Sequence, residues 1–277
     1  EIVIHSFSET KIEGDANGRG FQYPIPTYSI TRDFDWSDTE NNRLLFEMTA
    51  KYGTPYFSNY INSDMEPRDV RSMCCRLRLD LRALRKKSGG FFGSGASAGS
   101  IGVVTINMPR IASIAADAAD FGRSLDEGLY PYTRRYFGTF DNHFSTIGRI
   151  GMFEVGLNAK WLRADMTHEK TQQFTKEVLD HMRERLSDYQ EKYGDLYNLE
   201  ATPAEPTTYR FAKHDVAQFP DIITAAKDGG TPYYTNSSHL PVSFSEDIVE
   251  ALGIQDDLQT RYTSGAVFRA FLGEKLP

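Results

Sequence analysis

The chain carries two thiols, and they are neighbours: Cys74-Cys75, inside Asp69-Val70-Arg71-Ser72-Met73-Cys74-Cys75-Arg76-Leu77-Arg78-Leu79-Asp80. A thiolate is the reactive form of cysteine, and cations close to it stabilise it. Arg68, Arg71, Arg76 and Arg78 supply four such charges along the same stretch. A free cysteine also serves as a small buried hydrophobe, so a reactive and a structural thiol both remain open. On a strand the two side chains would point to opposite faces, so at most one faces a given cavity. A disulfide between them would close a strained ring.

Three other groups of residues can do chemistry. Glu154 ends the run Gly151-Met152-Phe153-Glu154, where a carboxylate at the end of an apolar segment serves as a general base or as half of a salt bridge. Thr235-Asn236-Ser237-Ser238-His239 offers hydroxyls, an amide and backbone N–H groups, suited to phosphate or ribose oxygens or to capping a turn. Ser94, Ser97 and Ser100, among glycines, allow a backbone to approach a nucleotide closely or make a flexible loop.

Other chemistries find no support. His168-Glu169 is followed by Gln172 where a helical zinc site needs a second histidine, and no Cys-x-x-Cys occurs, so no metal site is expected. The glycine-rich stretch lacks the Lys-Ser/Thr of a phosphate loop and misses dinucleotide spacing. No Gly-x-Ser-x-Gly elbow occurs.

Elements must position these groups. Leu44, Leu45 and Met48 predict a helix over 40–52, while the residues before it read as loop and short strands. The β-branched run 101–107 predicts a buried strand stopped by Pro109, followed by an alanine-rich helix over 112–127. A second buried strand is expected over 147–157. Phe174, Val178, Met182, Leu186, Tyr189 and Tyr193 predict a long helix over 167–193 with Gly194 as its stop. Residues 200–206 read as loop. Ser245 predicts the start of a short helix that Gly253 ends. Strands separated by helices argue for an α/β class, barrel-like or with a mixed sheet, in one unit over 1–277.

Composition narrows the class. Of the residues 40% are hydrophobic and 25% charged, so the chain is globular rather than disordered. A net charge of −7 argues against a grip on long nucleic acid. No apolar run reaches the ~20 residues of a membrane helix, and the N-terminus has no signal-like pattern. Two cysteines fit a reducing compartment, and a cytoplasmic location is expected.

Several segments, in order, resemble the anaerobic (class III) ribonucleoside-triphosphate reductases. They begin with Gly14-Asp15-Ala16-Asn17-Gly18-Arg19-Gly20-Phe21 and Pro24-Ile25-Pro26-Thr27. Tyr56-Phe57-Ser58-Asn59-Tyr60-Ile61-Asn62-Ser63 and Met73-Cys74-Cys75-Arg76 follow. Next comes Gly99-Ser100-Ile101-Gly102-Val103-Val104-Thr105-Ile106-Asn107-Met108-Pro109-Arg110-Ile111. The last are Tyr209-Arg210-Phe211-Ala212-Lys213, Pro232-Tyr233-Tyr234-Thr235-Asn236-Ser237-Ser238-His239-Leu240-Pro241-Val242, Tyr262-Thr263-Ser264-Gly265-Ala266-Val267-Phe268 and Phe271-Leu272-Gly273-Glu274.

The resemblance implies part of a ten-stranded α/β barrel with an internal finger loop, of the glycyl-radical enzyme type. It implies reduction of ribonucleoside triphosphates through a thiyl radical, which the motif places on Cys75. It also implies a homodimer, a glycyl radical, a structural zinc, an S-adenosylmethionine-dependent radical activase, and a redoxin or formate as reductant. Formate-using relatives carry Asn where this chain has Ser100, and often Gly where it has Cys74, which points to a redoxin-linked role for Cys74. Phe153 stands where relatives have Asn before the glutamate matching Glu154. The family's allosteric region would precede this segment, and its four-cysteine metal site and glycyl-radical loop would follow it. The chain alone is therefore expected to be inactive. A pyruvate formate-lyase type acyltransferase, which also uses adjacent cysteines, and a non-catalytic nucleotide-binding fragment are the alternatives.

Overall fold

The computed structural model describes residues 2–21, 23–63, 65–72, 78–80, 99–115, 143–201, 203–226, 229–242, 244, 245 and 247–268. Cys74 and Cys75 lie outside the described residues, as do Ser94, Ser97 and most of the helix expected over 112–127. The chain divides into two compact units, 1–68 with 274–277, and 69–273.

In the first unit, helices α1 (Ile2–Glu13) and α2 (Glu40–Tyr52) accompany a parallel pair of short strands, β1 (Thr27–Ile30) and β2 (Tyr56–Asn59). The helix expected over 40–52 forms, starting at Thr39, whose hydroxyl accepts from Asn42 N–H, and ending at Gly53 in the left-handed region. Leu45 and Met48 are its buried face. The loop-and-strand expectation for the N-terminus is corrected by α1. Its β-branched start favours a strand only weakly, and tertiary contact overrides that preference. Lys51 Nζ and Tyr52 Oη of α2 both donate to the Ile12 carbonyl at the C-terminal end of α1, at 2.6 and 3.1 Å.

The second unit holds an antiparallel pair, β3 (Val70–Ser72) with β4 (Arg78–Asp80), and a three-stranded parallel sheet, β5 (Gly99–Asn107), β6 (His143–Ile150) and β7 (Leu196–Glu200), in the order β5-β6-β7. Its described helices include α3 (Met108–Ile114), α4 (Met152–Asn158), α5 (Glu169–Tyr193), α6 (Glu205–Gln218) and α7 (Ile248–Gln259). The described fold is a mixed α/β structure with parallel pairing.

Register assigns the two faces of this sheet, because side chains alternate along a strand. Ile106, Arg149 and the row Val104, Ile147, Leu199 share one face. There α5 covers the sheet with Phe174, Val178, Leu179, Met182 and Leu186, joined by Met108, Met152, Leu258 and Tyr262. On the opposite face Val103, Thr146 and Asn198 form one row, and Thr105, Gly148 and Glu200 the next.

Four boundaries differ from expectation. The strand expected over 147–157 ends at Ile150. Gly151 sits at φ 78°, and a Cβ there would lie 2.1 Å from Pro109 Cγ, so the backbone turns where only glycine fits and α4 starts. Pro109, expected only to stop a strand, lies in the first turn of α3, where its missing N–H costs nothing. Pro206 does the same in α6, so the 200–206 loop gives way to helix at Glu205. Gly253 does not end the last helix: α7 runs through it to Gln259, and its cap is Asp247, which accepts from Val249 N–H (2.8 Å) and Glu250 N–H (3.3 Å).

Candidate functional site

Parallel α/β sheets present ligands at the carboxyl ends of their strands. At that end of β6 the chain builds a compact polar structure. Ile150 forms an isolated antiparallel bridge with Asn236. Gly151 N–H donates to the Thr235 carbonyl at 2.7 Å, and Met152 N–H to the Ser237 carbonyl at 3.0 Å. The segment 235–239 is thereby strapped onto the β6–α4 junction.

Two buried ionisable groups flank this strap. Glu154, in the first turn of α4, has no exposed surface. Its carboxylate accepts from Thr235 N–H at 3.2 Å to either oxygen and from Thr235 Oγ1 at 2.9 Å. Burial outweighs these donors and pushes its pKa up to about 7. Arg149, also fully buried, donates from Nη2 to Tyr262 Oη at 2.8 Å and lies 5.0 Å from that ring's centre. Burial holds the guanidinium below its ordinary value, and Tyr262 opposes the shift. Tyr262 Oη in turn shares a 2.9 Å hydrogen bond with Ser238 Oγ.

The residues expected to hold a ligand are thus brought together in one loop, but several are already engaged. Ser237 Oγ donates to the Arg149 carbonyl at 3.2 Å, and Ser237 itself stands at φ 49°. Ser237 and Ser238 are both buried. Asn236 Oδ1 accepts from Ala204 N–H at 3.0 Å, tying the loop to the entry of α6. His239 N–H donates to the Asn236 carbonyl at 2.9 Å, closing the turn, and its side chain is half-buried. An open, largely apolar depression of about 540 Å³ lies beside the loop, walled in part by Ala225, Tyr233, Pro241 and Phe244.

Sequence reasoning missed two features. Asp215 of α6, fully buried, accepts from Asn107 Nδ2 (2.6 Å), Tyr234 Oη (2.9 Å) and Arg110 Nε (2.7 Å), and also from Arg110 Nη2. It joins the ends of β5, α3 and the 233–239 loop; an acidic residue in an amphipathic helix gave no signal of this. The second is a polar cluster on the sheet face opposite α5. Ser100 Oγ and Thr146 Oγ1 are 2.9 Å apart, and Asn198 is the register partner of Thr146. Ser100 stands out in its glycine-rich stretch; Thr146, its partner on the neighbouring strand, and Asn198 one strand further do not.

Among the described residues no group of three or more His, Cys, Asp or Glu could hold a metal ion. The structural zinc that the resemblance implies therefore has no fit among them. No helix among the described residues is long and apolar enough to cross a membrane.

Known proteins share this organisation. An anaerobic ribonucleoside-triphosphate reductase of Haemophilus influenzae is 28% identical over 180 residues, covering 52% of this chain and 25% of the relative. The Escherichia coli enzyme of the same name is 28% identical over 182 residues, with the same coverage. The anaerobic ribonucleotide reductase of Thermotoga maritima, solved with MES in its active site, superposes with a TM-score of 0.63 at 19% identity, covering 99% of this chain and 46% of that one. The same protein in complex with dATP and CTP gives 0.59 at 18% identity, covering 95% and 44%. The structural likeness shows a shared fold. The chain spans about a quarter of the length of these curated relatives and under half of the solved chains. The family profile for anaerobic ribonucleoside-triphosphate reductase matches residues 1–135 and 123–277, end to end, and the chain belongs to that family.

Proposed function

We propose that this chain is the catalytic-barrel segment, over 1–277, of a longer anaerobic ribonucleotide reductase. In this reading it is part of a ten-stranded α/β barrel enclosing a finger loop, and it reduces ribonucleoside triphosphates to 2′-deoxyribonucleoside triphosphates. The observation that carries the reading is the end-to-end family match, joined to a loop of polar groups at the carboxyl end of the central strand.

The chemistry assigned to this chain centres on Cys75. As a thiyl radical its sulfur takes the ribose 3′-hydrogen, becoming a thiol and leaving the unpaired electron on C3′. The 2′-hydroxyl departs as water once protonated. A two-electron donor, a redoxin-linked dithiol or formate, reduces the sugar, and the 3′-hydrogen returns from the thiol. Cys74 is the candidate partner thiol for a redoxin. A glycyl radical in the longer enzyme, installed by an S-adenosylmethionine-dependent activase, supplies the one-electron oxidising power. Regulatory and metal-binding parts and the dimer interface belong to that longer enzyme.

Asn236–His239 and the Ser100–Thr146 pair provide polar groups for the phosphates and the sugar. Glu154 enters as the holder of the loop rather than as a base at the 3′-hydroxyl, because both its oxygens already accept from Thr235.

Anaerobic assay of the longer enzyme tests the reading. Wild type should form deoxyribonucleotide, and Cys75→Ser should form none. The chain by itself should bind a ribonucleoside triphosphate but not pyruvate in calorimetry, and should turn nothing over. Turnover by Cys75→Ser, or pyruvate binding without nucleotide binding, contradicts it.

A further inference from the structure

We propose that Asn198 is a ligand-contacting residue of the buried sheet face opposite α5, and that its amide binds the vicinal hydroxyl pair of a sugar. The proposal deepens the nucleotide reading above and rests on it.

Asn198 is only 4% exposed, and neither Nδ2 nor Oδ1 has a hydrogen-bond partner. Buried amides are otherwise paired almost without exception, because an unpaired one forfeits its hydration. Among the described residues no other side chain on this face of the three-stranded sheet is left so: Thr146, the register partner, bonds Ser100. Asn198 therefore stands beside Thr146, whose hydroxyl meets that of Ser100, and holds one acceptor and two donor hydrogens in reserve.

An amide with both its donor and its acceptor unpaired favours a ligand that does both. A carboxylate or phosphate only accepts and would set its oxygens against Oδ1. An ammonium only donates and would leave Nδ2 unpaired. Two adjacent hydroxyls satisfy both atoms, since each hydroxyl donates and accepts. The neighbouring Thr146 and Ser100 hydroxyls can rotate to meet the same sugar. A ribose carries such a pair at C2′ and C3′.

Calorimetry with ATP, 2′-deoxy-ATP and 3′-deoxy-ATP on the chain, alongside thermal unfolding, tests this. Wild type should bind ATP about tenfold more tightly than either deoxy form, the factor that one hydrogen bond carries. Asn198→Leu should bind ATP about tenfold more weakly, lose the discrimination, and unfold about 2 °C or more higher, because its unpaired amide is gone. A purely structural Asn198 would show the opposite, a lower unfolding temperature with discrimination intact, and that overturns the proposal. Loss of affinity that is equal for all three ligands points to a base contact and overturns it too. If Asn198→Leu does not fold, Asn198→Ala carries the same binding comparison. Binding with unaltered discrimination in the variant defeats this proposal alone. A wild-type chain that binds none of the three defeats the nucleotide reading, and this proposal with it.

Discussion

The two faces of the β5-β6-β7 sheet are built from alternate residues of the same three strands, and their central rows bury opposite chemistry. Under α5 lie Val104, Ile147 and Leu199 in one row, sealed by Phe174, Leu179 and Met182. On the other side Val103 is 47% exposed, yet Thr146 beside it is 1% exposed and Asn198 4%. The first face does what folding requires: apolar area leaves water at roughly 25 cal/mol per Å². The second spends stability, because each buried polar group must recover its lost hydration from a partner. Thr146 recovers it from Ser100; Asn198 does not. The contrast teaches where to look for function: the apolar row under α5 makes stability, and the row behind it holds Asn198 with its amide unpaired.

Substitutions can break this contrast. The largest effect is expected at the pin between sheet end and loop: Asp215→Ala strips Asn107, Arg110 and Tyr234 of a fully buried acceptor. It should cost about 3–5 kcal/mol in urea unfolding. On the covered face Leu199→Ala should cost about 2–5 kcal/mol in the same measurement. Glu154→Gln sharpens the picture through pH. Because burial raises the folded-state pKa to about 7 from the ordinary 4.5, wild-type stability is full below pH 4.5 and falls as pH rises toward 7. The variant should remove that slope, gaining up to ~3 kcal/mol relative to wild type above neutrality. On the opposite face Thr146→Val should cost no more than about 1 kcal/mol, since it loses a single hydrogen bond to Ser100. A Thr146 effect as large as that of Leu199 would erase the distinction between the faces.

Much of this fold could be read in the residues. The long helix α5 announced itself through Phe174, Val178, Met182 and Leu186, and Gly194 marked its end, because a strongly periodic stripe has one physical use. Strand β5 stood out through its β-branched run. The boundary at Gly151 did not, since an apolar run does not distinguish strand from buried helix; the deciding term is a positive φ against Pro109. The loop 235–239 was legible as a cluster of polar groups, but not the fact that Glu154 and Arg149 flank it, which depends on contacts across more than eighty residues. Asn198 was invisible for a related reason: one polar residue in a five-residue strand acquires meaning only when register places it beside Thr146.

Methyl-detected NMR during titration with a ribonucleoside triphosphate tests the central claim most directly, because alternate residues of one sheet report on its two sides. Nucleotide should shift the Val103 and Thr146 methyls and leave those of Ile147 and Leu199 unmoved. Shifts confined to Ile147 and Leu199, or no shift at saturating nucleotide, would contradict it.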